Sequence, residues 1–353
     1  MGTVKIMRSK LRQKTLAIFL LICLLYSLVS VEVNGFDPSP ESSCFIAYDK
    51  IIQDGMDYVR IQQNVYKTYS EHLISLEKWY NLHPFITYAS LIGTSITIKF
   101  IDGSYTVLIN PDLSKPNYLR DFIYTPIHKR YKGDRNTTAV ILNPAEHMYG
   151  HYQCKRIISI FLRQDYSLEY LANKAVNLNY IRSNLSVDII FINTHAGYFD
   201  IDGDQQADTV VIATGEFWTN ETEEKYSFDY QHNFIVKGLV GNQAFVAFTP
   251  AFIEYYYSER AFPDSLVFMA TCYALYDSSM AEKFLDAGAR VYMGWSNNTV
   301  FWINSRTSVL TFRLLSYGLT IQQVCRLIRS GGFYNWLLHS KLVYNGDGDY
   351  RIP

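Results

Sequence analysis

The stretch Ser265–Ser296 constrains the fold of this chain more than any other. It opens with the apolar run Leu266-Val267-Phe268-Met269-Ala270, whose length and composition predict a buried strand. The run stops at Thr271-Cys272. Asp277-Ser278-Ser279 then reads as a helix start, and Met280, Ala281, Phe284 and Leu285 give that helix one apolar face. Gly288 ends it, and Val291-Tyr292-Met293-Gly294 predicts a second strand. A strand–helix–strand unit calls for a parallel sheet. Ligand chemistry in open parallel sheets gathers at the carboxyl ends of the strands, and Cys272 stands at such an end.

A second stretch has the same form. Val187–Ile192 is an apolar run that stops at Asn193-Thr194-His195-Ala196-Gly197. If the two strands are neighbours, an imidazole and a thiol share one rim of the sheet. An imidazole beside a thiol takes its proton and makes it a nucleophile near neutral pH. Asn193 and Glu216 are both candidates to orient His195, and the sequence does not choose between them.

The remaining elements agree with this layout. Ala139–Leu142 predicts a first core strand, Tyr149–Arg163 a helix, Ser167–Leu171 a short strand and Val176–Leu185 another helix. Phe191 and its neighbours follow as the strand that delivers His195. Beyond Trp295, residues 302–315, 321–328 and 336–342 read as mainly helical. Strands alternating with helices through short connections predict an α/β three-layer sandwich with a mostly parallel sheet.

The motifs Thr194–Gly197 (THAG) and Ala270–Ala274 (ATCYA), followed by a helix and Ala287–Trp295 (AGARVYMGW), resemble the clan of cysteine peptidases that includes caspases, legumain, clostripain and gingipains. The resemblance spans about Thr138 to Pro353 by order of elements. It implies a caspase-like catalytic domain over 136–353 with a Cys–His dyad: His195 as general base and Cys272 as nucleophile. It implies a thioester acyl-enzyme, a protein or peptide substrate, and chemistry that requires no cofactor. Backbone amides of Ala196, Gly197 and Cys272 would hold the oxyanion, and Trp295 and Ser296 would line the substrate pocket. Two departures stand out. The family has Gly directly after the His, whereas Ala196 intervenes here, and the His195–Cys272 spacing is wider, which implies an insertion. Two other classes fit the same residues: a catalytically silent caspase-like binding or scaffold protein, and a dyad-based transpeptidase.

The N-terminus carries an address. Lys5, Arg8, Lys10, Arg12 and Lys14 precede Leu16–Val31, which is almost wholly apolar. This pattern predicts a signal peptide over 1–35, or a signal-anchor if it is not cleaved, with Val33-Asn34-Gly35 offering a cleavage site before Phe36. The expected location is secreted or extracellular, or the cell surface, with membrane contact only through an uncleaved N-terminal segment. Sequons at Asn136, Asn184, Asn220 and Asn297 suit an exported chain. A formal net charge of −1 argues against a nucleic-acid partner.

Residues 36–135 differ in character and predict a small α+β accessory module. Met56–Leu82 carries apolar residues at helical spacing and reads as one long helix, and two apolar runs flank the hairpin turn Asp102-Gly103. Lys115–Gly133 reads as a connecting segment. Within the larger part, Asp200, Asp202, Asp204 and Asp208 follow His195 at relative positions one, three, five and nine. Carboxylates so spaced wrap a hard cation, which makes them a candidate structural calcium loop; a solvated hairpin tip, or an acid that reads a basic substrate side chain, are the other readings. Apart from Cys23 and Cys272, the cysteines are Cys44, Cys154 and Cys325. An exported chain permits one disulfide among them, Cys44–Cys154 or Cys154–Cys325.

Overall fold

A computed structural model of the chain describes residues 40–62, 68–113, 125–329 and 339–353. The chain divides into two units, Met1–Ile51 and Ile52–Pro353. The described part of the first is the opening of helix α1 (Pro40–Ile61). The signal segment Leu16–Val31 lies outside the described residues, as do the side chain of Cys44 and the stretch 330–338. Among the described residues no helix is long and apolar enough to cross a membrane.

The second unit contains two mixed seven-stranded sheets with helices, an α/β architecture. One sheet is made of β4 (Ile127–Tyr131), β5 (Thr138–Asn143), β6 (Ser167–Ala172), β7 (Ile189–Asn193), β12 (Leu266–Ala270), β13 (Val291–Trp295) and β14 (Leu342–Gly346). Its order is β14-β13-β12-β7-β5-β6-β4. The five inner strands pair in parallel, and the two edge strands run antiparallel to them. The three central strands β7, β12 and β13 are buried along their whole length because both faces are covered. Ala139, Ile141, Ile189, Phe191, Leu266 and Phe268 pack on helices α4 (Tyr152–Leu162), α10 (Phe301–Ser316) and α11 (Ile321–Arg329). Val140, Leu142, Ile190, Ile192, Val267 and Met269 face the other way. There they meet the second sheet together with α5 (Leu178–Ser183), α8 (Pro250–Tyr256) and α9 (Ser279–Asp286). Each such buried aliphatic side chain contributes roughly 1.5–3 kcal/mol.

The second sheet has the order β1-β2-β3-β10-β11-β9-β8. Its strands are β1 (Ile86–Ile92), β2 (Ser95–Phe100), β3 (Tyr105–Ile109), β8 (Ala196–Phe199), β9 (Thr209–Phe217), β10 (Ile235–Val240) and β11 (Gln243–Phe248). All neighbours are antiparallel except β3 and β10. The sheet curls on itself. The N–H groups of Tyr198 on β8 and of Asp200 just beyond it donate to Ser95 Oγ and Thr97 Oγ1 on β2 at 3.2 and 3.1 Å. Inside the curl Tyr105, Val107, Ile109, Phe199, Val211, Val236 and Phe245 form a core of their own. Gly197 permits the closure, because a Cβ there would stand 2.8 Å from Ser95 Oγ and 2.9 Å from Ile109.

Several expectations change. The helix foreseen over Met56–Leu82 is two helices, α1 ending at Ile61 and α2 (Tyr69–Asn81). Thr68 starts the second with a capping box to Glu71, a Thr-x-x-Glu pattern that the apolar spacing had masked. The 36–135 stretch is not self-contained: it supplies β1–β3 to the curled sheet and β4 to an edge of the other. The insertion between His195 and Cys272 supplies β8–β11, including the hairpin β10–β11. Leu342, foreseen in a helix, begins edge strand β14. The helix foreseen from Tyr149 breaks at Gly150. Cys154 and Cys325 are both free thiols, so neither foreseen disulfide involving Cys154 forms.

Candidate functional site

The register of the parallel sheet sets the site. β12 lies directly beside β7, and Ala270 pairs with Asn193. Cys272 and His195 each follow two residues beyond that pair, on the same rim. The turn after β12 is tight: Tyr273 takes φ +60°, a left-handed conformation that is rare for an aromatic residue. Its N–H donates to Asn297 O, its hydroxyl meets Thr94 Oγ1 at 3.2 Å, and its ring lies against Tyr198 at 4.2 Å. Strain of this kind gathers at functional turns.

The thiol and the imidazole are partly exposed, and they are not hydrogen-bonded to each other. Cys272 Sγ donates to Asn298 Oδ1 at 2.9 Å and accepts from Thr299 N–H at 3.3 Å. Burial pushes the thiol up to about 11; the Thr299 amide and the thiol's own backbone N–H pull the other way. His195 Nδ1 meets the Tyr149 hydroxyl at 3.4 Å, and Nε2 is buried without a partner. Burial first, and then neighbouring His147, lower the imidazole to about 4. Both groups therefore rest neutral at pH 7.

Tyr149 carries no functional signal in the sequence, where it reads as the start of a helix; in the structure it closes a one-turn helix, α3 (Glu146–Tyr149). Gly150 ends that turn at φ +74°, which favours glycine. The Tyr149 ring lies 5.0 Å from the His195 ring and stacks on Phe301 at 4.3 Å with planes 14° apart.

Beneath the rim, a buried polar chain crosses the ends of four parallel strands. Trp295 Nε1 donates to Asn304 Oδ1 at 2.9 Å. Asn304 Nδ2 donates to Ala270 O at 2.9 Å and to Asn193 Oδ1 at 3.4 Å. Asn193 Nδ2 donates to Asn143 Oδ1 at 2.7 Å, and Asn143 Nδ2 donates to Gly150 O at 3.2 Å. This chain reassigns three residues. Trp295 is fully buried against α10 and does not face a substrate. Asn193 binds asparagines below the rim and not His195. Glu216 accepts from Leu178 N–H, Tyr226 and Lys225, and so caps α5 well away from the imidazole. Ser296 Oγ accepts from Lys341 N–H and ties the end of β13 to the approach of β14.

The ladder also separates the three backbone donors. His195 O accepts from Ala213 N–H, and antiparallel parity then turns the Gly197 N–H into the β9 ladder. The Ala196 N–H stays on the edge that carries those of Tyr198 and Asp200. The Cys272 N–H stands beside its own sulfur. A cleft of about 750 Å³ opens beside the imidazole, with Tyr69, His72, Asn110, Asp112, Tyr149 and His195 among its walls. Another groove of about 560 Å³ lies at the opposite ends of the parallel strands and holds none of the site residues.

The acidic loop sits elsewhere. It follows β8, whose four residues carry it ~13 Å from His195. Ligand oxygens of Asp200, Asp202 and Asp208 lie within 4.8 Å of one another. Asp204 stands outside this group and accepts from Gln206. Asp200 is fully buried and accepts from the N–H groups of Gly203 and Gln205, while Asp208 accepts from Ile201 N–H. The Tyr88 and Tyr105 hydroxyls pin the loop backbone at Asp200 O and Ile201 O. No family model matches this chain, and no curated protein matches it.

Proposed function

We propose that this chain is an exported cysteine endopeptidase with a caspase-like three-layer domain, in which Cys272 and His195 hydrolyse peptide bonds of a protein or peptide substrate. One observation carries the reading: β7 and β12 are adjacent parallel strands in a register that delivers His195 and Cys272 to the same rim. In the proposed reaction Cys272 Sγ attacks the peptide carbonyl carbon while its proton passes to His195. The Cys272 and Ala196 amides receive the developing oxyanion. Collapse of the tetrahedral intermediate breaks the C–N bond, and the imidazolium protonates the departing amine. His195 then takes a proton from water, which attacks the thioester and releases the acid and the free thiol. The cleft beside His195 is the proposed substrate site. The acidic loop is proposed to hold a structural calcium through Asp200, Asp202 and Asp208, with no part in the reaction.

A second reading, a silent scaffold relative, draws on the resting thiol's bonds to Asn298 and Thr299 in place of His195. Cleavage of a peptide library, with an added amine nucleophile to reveal transpeptidation, separates the readings. Hydrolysis by the wild type that Cys272→Ala abolishes is the expected result. A wild-type protein that neither cleaves any peptide nor labels at Cys272 with a thiol-directed electrophile is a scaffold.

A further inference from the structure

Asn193 and Glu216 are both engaged elsewhere, and this leaves the orientation of His195 without an obvious owner. The side chain that meets the imidazole is Tyr149, whose hydroxyl stands 3.4 Å from Nδ1. Catalytic contacts are often loose in an unliganded site. We infer that Tyr149 is the positioning residue of the dyad: its hydroxyl oxygen accepts from Nδ1–H, so that the Nε2 lone pair is the one that takes the Cys272 proton. The inference rests on the peptidase reading of the same site.

Further observations support the assignment. Nε2 is buried and has no partner, which is the state required of a nitrogen kept available for proton transfer. Tyr149 is itself fixed: its ring stacks on Phe301, and the adjoining Gly150 carbonyl is held by Asn143 at the end of β5. The same asparagine holds Asn193, two residues before His195. The phenol and the imidazole are therefore anchored to one polar chain. Phe301, in turn, comes two residues after Thr299, which with Asn298 binds the Cys272 sulfur. The stack thus ties the element that orients the base to the loop that holds the nucleophile. The phenol is close enough to Cys272 for a thiolate there to act on it electrostatically.

The fixed tautomer follows from the donor inventory. A neutral imidazole carries one N–H, and the hydrogen bond at one nitrogen decides which nitrogen keeps the lone pair. Asparagine or a carboxylate does this in many sites by accepting from Nδ1–H, and a phenol oxygen accepts in the same way. The phenol brings no negative charge, so it sets the tautomer without raising the base strength of the ring.

The test uses Tyr149→Phe, which keeps the stack on Phe301 and deletes only the hydroxyl. Two readouts are taken on the intact protein: the rate at which iodoacetamide alkylates Cys272, and the ¹⁵N shifts of His195. His195→Ala should slow alkylation at pH 7 by about 100-fold, the lower end of what a general base supplies. Tyr149→Phe should slow it by about tenfold, as loss of a partner that fixes a histidine tautomer does elsewhere. The wild-type ring should be the Nδ1–H tautomer, and the variant should gain the Nε2–H form. With a cleaved peptide in hand, kcat should fall while KM stays within about twofold. If His195→Ala slows alkylation but Tyr149→Phe changes neither rate nor tautomer, the positioning role is overturned and the dyad stands. If His195→Ala leaves alkylation unchanged, the dyad falls, and the tautomer alone decides whether Tyr149 fixes the ring. A wild-type Nε2–H tautomer overturns the inference without any variant.

Discussion

At the scale of single residues, burial is the dominant influence on the site. It holds Cys272 high and His195 low, so both rest neutral at pH 7. Cys272→Ala and His195→Ala should each remove hydrolysis while the protein stays folded, with a modest fall in Tm, since Cys272 packs on the core only at its edge and His195 loses chiefly its contact with the Tyr149 ring. An inactive variant that is also unfolded by circular dichroism would leave the loss of activity explained by structure alone. The same burial sets a pH dependence. His195 and His147 both sit at about 4 in the fold, against about 6.5 in an unfolded chain. The unfolded state therefore binds more protons in that interval, and stability falls as pH drops from about 6.5 toward 4. Denaturant midpoints at pH 7.5 and 5 measure it. His195→Gln should flatten part of the slope, and an unchanged slope in that variant assigns it to other groups.

At the scale of elements, the strand ends are held by amide side chains where loops would otherwise float. Asn304, on the first turns of α10, binds Trp295, Ala270 and Asn193 together. Asn304→Leu should cost about 3 kcal/mol by stranding buried donors and acceptors, and it should slow Cys272 alkylation because Ala270 is two residues from the thiol. Stability unchanged within about 0.5 kcal/mol would mean that water replaces the asparagine. The β8–β9 loop is an element with its own logic. Asp200→Ala should cost about 2 kcal/mol whether or not a cation binds, since its carboxylate satisfies two backbone amides. Asp202 and Asp208 separate the readings: if the loop binds calcium, millimolar calcium should raise Tm in the wild type and not in Asp202→Asn or Asp208→Asn. A wild type indifferent to calcium makes the loop a self-capped hairpin tip.

At the scale of the whole molecule, two stretches far apart in sequence build one curled sheet: β1–β3 from residues 86–109, and β8–β11 from the insertion between the two site residues. The parallel pairing of β3 with β10 joins them, and Gly197 lets β8 approach β2 and β3. Gly197→Val should therefore unfold or strongly destabilise the protein, and a protein that tolerates it with unchanged Tm would contradict the closed curl. Removal of residues 36–113 as a separable module should likewise leave an aggregating remainder, because it takes three strands from a shared sheet. The proposed export signal is tested on the cell: secreted material should begin near Phe36, and full-length protein recovered from membranes would instead identify an anchor.

Local pattern sufficed wherever a segment's own chemistry decides its state. The apolar runs Ile189–Ile192 and Leu266–Ala270 are strands because nothing polar interrupts them, and each stops just before His195 or Cys272. The helices from Phe301 and Ile321 were legible for the same reason. What neighbours what was not legible. Trp295 looked available for a pocket because it follows a strand end, yet its indole turns inward to Asn304, a choice made by the packing of α10. Asn193 and Glu216 looked equivalent beside His195, and Asn143 and the start of α5 claimed them. Tyr149 reads from the sequence only as the start of a helix: nothing in that pattern points to His195, and the ring reaches the imidazole only because β5 and β7 are adjacent in the sheet. Hydrophobic periodicity is a property of consecutive residues, whereas a hydrogen bond between Tyr149 and His195 depends on the pairing of strands nearly fifty residues apart.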